Sequence, residues 1–227
     1  MRGVCTRAVS TARRYPVPLA YLAALAWVSA VYVYALSPRA RVSFVAWAST
    51  NLANLPSNPL GTLLVSAFLP ENSQWAWLLL AAIGLFPVAR RFGNTRTVLL
   101  AGGAHVVATA VSEGVAAWRL AAGAVHPSIR HLDDVGPSYV VAAALTAAVL
   151  YGPGRLPRAL ALAGWLALAP YLFQRLSALE VGAVGHVVAM VTGAAVGGAF
   201  ALRGRRSGGD GRDGGQATVS RGRNSSA

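Results

Sequence analysis

Six apolar runs, parted by turns rich in arginine, proline and glycine, constrain this chain more than any other feature. They fall at about residues 17–36, 75–88, 97–118, 136–151, 158–173 and 181–202. Several approach the roughly 20 residues that a helix needs to cross a bilayer. Only 12% of the 227 residues are charged, about half the fraction usual in a soluble domain. Hydrophobic residues make up 55% of the chain, and the mean hydropathy is +0.51. The expected fold is an all-α, multi-pass membrane bundle of six transmembrane helices.

Residues 1–16 carry Arg2, Arg7, Arg13 and Arg14 ahead of the first run. That run exceeds the roughly 7–15-residue core of a signal peptide, so it reads as an uncleaved anchor. Residues 38–74 contain Pro56, Pro59 and an apolar stretch, 61–68, too short to span. They are expected to lie as a loop on the outer membrane face. From Arg203 onward the chain is mostly Gly, Ser, Arg and Asp, with almost nothing to bury, so 203–227 is expected to be a disordered tail. One membrane domain, 17–202, then lies between a basic N-terminus and this tail.

All twenty basic residues are arginines, and the formal net charge is +13. In a soluble protein that balance would suggest nucleic acid. Here the arginines cluster between apolar runs, where they set topology and meet anionic lipid, so no nucleic-acid partner is expected. With the N-terminus inside, fifteen of the twenty arginines fall on the inner segments 1–16, 89–96, 152–158 and the tail. An N-in, C-in orientation follows from that bias. The single cysteine, Cys5, allows neither an internal disulfide nor a cysteine metal cluster. With so few ligands at suitable spacing, no metal site is expected.

Two polar residues stand out within the apolar runs. Ser138 lies near the start of the fourth run and His186 near the start of the sixth, and the topology places both just below the outer boundary. Gly185, Ala189, Gly193 and Gly197 form a small-residue stripe on the sixth run, and Ser138, Ala142 and Thr146 form a row on the fourth. Such faces would let the two helices approach until the imidazole could take the serine proton and activate its oxygen for acyl transfer. On the third run His105, Thr109 and Glu113 make a polar stripe. His105 reads as an interhelical hydrogen-bonder and Glu113 as reaching water near the outer end. His126 and His131 read as loop residues.

At Gly136-Pro137-Ser138-Tyr139, at His186 with Ala189, Gly193 and Gly197, and at the Arg90-Arg91-Phe92-Gly93 turn, the chain resembles the rhomboid family of intramembrane serine proteases. The resemblance covers about residues 60–202. It implies a six-helix rhomboid-like bundle in the plasma membrane, with Ser138 as nucleophile and His186 as its general base. It further implies transmembrane-helix substrates, cut near the outer face, and no cofactor. Three positions depart from the family pattern. Tyr139 stands where the family has a second glycine, and Ser73 and Trp77 stand where it has a histidine and an asparagine for the oxyanion. Asn72, Ser73 and Gln74 are the nearby candidate donors. The departures leave open a catalytically silent protein that binds membrane helices, and the His105 stripe leaves open a transporter.

Overall fold

The computed structural model describes residues 13–70 and 73–213, and every regular element among them is helical. Helix α1 (Pro16–Ala30) has proline in its first turn, where no hydrogen bond is lost, and closes in a π-helical turn, Val31–Ala35. Two short helices follow, α2 (Pro38–Ala48) and α3 (Pro59–Ser66). The loop expected over 38–74 is corrected by them. Each starts with proline behind a polar cap: Ser37 Oγ accepts the Ala40 N–H at 3.3 Å, and Asn58 Oδ1 accepts the Gly61 N–H at 3.2 Å. A run too short to span still forms a helix once its first turn is capped.

Helices α4 (Gln74–Phe92) and α5 (Asn94–Ala121) are separated only by Gly93, whose φ of 86° is costly for any residue with a Cβ. The remaining helices are α6 (Ser138–Tyr151), α7 (Arg155–Leu172) and α8 (Val181–Asp213). Helix α8 thus continues past residue 202, where the sequence pattern placed its end. Most of the basic N-terminus (1–12) and the rest of the expected tail (214–227) lie outside the described residues. Among the described residues four segments are long and apolar enough to cross a membrane: Pro16–Ala35, Gln74–Phe92, Asn94–Ala121 and Val181–Gly204.

Helix α6 is the axis of the bundle. Every residue from Ser138 to Leu145 is buried, and α4, α5, α7 and α8 pack around it. Its alanine-rich sequence lets four helices come close at once. The tightest approach is from α8, where a Cβ on Gly193 would lie 2.6 Å from the Ala143 carbonyl oxygen and 2.9 Å from its Cα. With 14 residues, α6 is about 21 Å long, well short of the roughly 30 Å hydrocarbon thickness.

Candidate active site

The entry to α6 is held from outside the helix. Gly136 has a φ of 140°, a backbone shape open mainly to glycine, and its N–H donates to the Ser66 carbonyl at the end of α3 at 2.9 Å. Just before it, Thr50 donates its N–H to the Asp134 carbonyl at 3.0 Å and its hydroxyl to the Asp134 carboxylate at 3.1 Å. The Asp134 N–H donates to Ser49 Oγ at 2.7 Å. Asn51 Oδ1 accepts the N–H groups of Ala53 and Asn54, and Asn54 Nδ2 returns to the Ser49 carbonyl at 2.9 Å. The polar run after α2, which the sequence pattern showed only as part of a loop, is therefore a clasp that sets where Ser138 begins.

Ser138 and His186 are 7% and 4% exposed, and both line one cavity of about 210 Å³ with Asp133, Asp134, Gln174 and Glu180. His186 Nδ1 lies 3.0 Å from the carbonyl oxygen of Leu172, the last residue of α7. A carbonyl can only accept, so Nδ1 carries the proton and Nε2 keeps its lone pair. That carbonyl is one of the four at a helix end with no partner inside the helix. The imidazole sits between two rings, Tyr139 at 5.3 Å, edge-on, and Tyr171 at 5.4 Å. Tyr139 donates its hydroxyl to Asp134, 3.2 Å from either carboxylate oxygen. Among the described residues no hydrogen bond joins Ser138 to His186; the hydroxyl and the ring share the cavity.

The small-residue stripe on α8 works differently from a uniform backbone seam. Gly193 meets the Ala143 backbone, but the place of a side chain on Gly185 is taken by the Tyr139 ring, and on Gly197 by the Tyr151 ring. Tyr151 then donates its hydroxyl to the Ala194 carbonyl at 2.8 Å. Tyr139, the departure from the family pattern, is thus accommodated by a glycine on the facing helix.

Of the candidate oxyanion donors, neither Ser73 nor Gln74 lines the cavity that Ser138 and His186 share. Asn72 lies outside the described residues. Ser73 has a left-handed φ of 52° just before α4, and Gln74 lines a separate cavity between α1 and α4 with Ser29 and Trp75. Donors on residues that do border the Ser138–His186 cavity include the Gln174 side chain, in the turn after α7, and the N–H of Ser138, which has no acceptor within α6. On α5, His105 Nε2 donates to the Leu63 carbonyl of α3 at 2.9 Å. Glu113 does not reach water. It is 4% exposed, and its Oε2 is buried without a hydrogen-bond partner among the described residues.

Burial raises the Asp134 carboxyl to about 6, with the Thr50 and Tyr139 hydrogen bonds holding it lower than burial alone would. This folded value exceeds the ordinary one of about 3.9, so the folded state holds the proton more tightly and stability declines as pH rises from about 4 to about 6. Asp134→Asn should remove that decline. Melting temperatures measured across this range should slope downward for the wild type and lie flatter for the variant.

No curated protein and no solved structure matches the chain. The sequence model of a family described as rhomboid-like protein matches residues 10–206, which include all eight helices as far as the described end of the last membrane-length segment. With that match over most of its length, and with helices apolar enough to lie in a bilayer, the chain is an integral membrane protein belonging to the rhomboid-like family.

Proposed function

We propose that the protein is an intramembrane serine endopeptidase that cuts transmembrane segments near the outer face of the plasma membrane, with Ser138 as nucleophile and His186 as general base. One observation carries the reading. The two side chains share a polar cavity, and the Leu172 carbonyl commits His186 Nδ1, which leaves Nε2 free to accept. In this reading α6 and α7 complete a six-span domain over 17–202, N-in and C-in. Because α6 is shorter than the hydrocarbon is thick, its N-terminus starts below the outer surface and Ser138 with it.

In the acylation step Nε2 takes the hydroxyl proton while Oγ attacks the scissile carbonyl. The leaving amine then receives that proton, and water hydrolyses the acyl-enzyme. The Ser138 N–H and Gln174 are the donors for the oxyanion. The resting arrangement has no Ser138–His186 hydrogen bond, and such bonds commonly tighten only when substrate is bound.

A fluorophosphonate probe tests the dyad directly. Ser138 should be labelled in the wild type, and at least about a hundredfold more slowly in His186→Ala, the usual loss with a general base. Equal labelling of the two proteins would refute the dyad. Tyr139 beside the serine and the absent second-helix donor pair favour a second reading, a catalytically silent binder of membrane helices. That reading requires an unlabelled Ser138 in a protein that still captures transmembrane peptides.

A further inference from the structure

On another side of the molecule, α1, α3 and α5 enclose a groove of about 650 Å³ that the active-site reading does not use. Val17, Ala20 and Ala24 form one wall, and Val98, Gly102 and Val106 the other. Leu85 and Val140 lie at its inner side, and α3 adds Leu60 and Leu64, which are 81% and 66% exposed. Most polar atoms of its lining residues are already engaged. Tyr21 donates to the Ala67 carbonyl at 2.9 Å, Thr97 to the Gly93 carbonyl at 2.8 Å, and His105 Nε2 to Leu63, while His105 Nδ1 is buried without a partner among the described residues. The groove therefore presents mostly hydrocarbon.

From Thr97 to Val106 the groove runs about 14 Å along α5, and its hydrocarbon lining suits an acyl chain of the lipid around it. The end at Val17 and Thr97 is also marked. Arg13 and Arg14, both exposed, immediately precede α1, and Asn94 Nδ2 donates to the Arg14 carbonyl at 3.1 Å, tying the starts of α1 and α5 together. The other amide atom, Asn94 Oδ1, is buried with no partner among the described residues.

We propose that the α1–α3–α5 groove binds one acyl chain of an anionic glycerophospholipid, with the phosphate at Arg13 and Arg14. The site is independent of the peptidase reading. Arginine near an anionic lipid surface is worth about fivefold in affinity, so two should give phosphatidylglycerol roughly a 25-fold preference over phosphatidylcholine.

The full-length protein in detergent would be titrated with each lipid, reading bound lipid by native mass spectrometry and the melting temperature in parallel. Gly102→Leu is the filling variant, since a Cβ there meets nothing within 4 Å. It should keep the lipid-free melting temperature and lose the phosphatidylglycerol-dependent rise. The double variant Arg13→Gln, Arg14→Gln should bind the two lipids equally. Equal binding of both lipids by the wild type, or an undiminished phosphatidylglycerol effect in Gly102→Leu, overturns the proposal.

Discussion

Ser138→Ala should reduce cleavage of a transmembrane substrate in proteoliposomes by on the order of a thousandfold or more, because no other group can form the acyl-enzyme. His186→Ala should fall nearly as far. Nucleophile and base act as one unit, so the double variant should lose little more than the worse single variant. That pattern separates chemistry from damage to the fold, since independent structural losses would multiply. Ser138 has reason to tolerate the change: the described hydrogen bonds include none to its hydroxyl, and its helix is held by the Gly136 and Asp134 contacts instead. If the wild type cleaves no faster than Ser138→Ala, the serine is not the nucleophile, and if neither cleaves, the helix-binding reading takes its place.

How much of this was open to a reader of the sequence depends on how far each interaction reaches along the chain. The apolar runs that became α1, α4, α5 and α8 are local patterns, and the Arg90–Gly93 turn between α4 and α5 is marked by its own residues. Ser138 and His186 are legible for the same reason, since a polar residue inside an apolar run is visible without its partner. The clasp is not. Thr50 acts on Asp134, 84 positions away, and Ser49 and Asn54 are ordinary loop residues until that pairing is known. Nor can a sequence show that His186 is oriented by a main-chain oxygen at Leu172, because every residue has one. Glu113 misleads for a related reason. Its place near the end of a span suggests water, yet the fold buries it near Asp134, which is distant in sequence. Tyr139 looks like a defect in the serine motif when read alone. Beside Gly185 it becomes a ring seated in a gap on the facing helix, with its hydroxyl on Asp134 and its edge against His186.

Gly193→Val should be the most damaging substitution away from the dyad. The atoms it would meet, Ala143 O and Cα at 2.6 and 2.9 Å, belong to the backbone of the central helix and cannot turn aside as a side chain could. Relief requires α6 and α8 to separate, and overpacking of this kind costs about 3 kcal/mol or more. For a chain of this size that corresponds to a melting temperature lower by on the order of 10 °C. Gly102→Ala is the matched control. It lies in a helix with open space around it, and the intrinsic preference of helices for alanine should leave it neutral or stabilised by up to about 1 kcal/mol. Activity should report the same displacement more sharply than stability does. Ser138 is on α6 and His186 on α8, so a shift of about 1 Å between these helices can cost on the order of a hundredfold in rate while the protein is still folded. Gly193→Val assayed well below its melting temperature should therefore be slow, and a variant that melts and cleaves like the wild type would mean that this seam does not set the distance between the two residues.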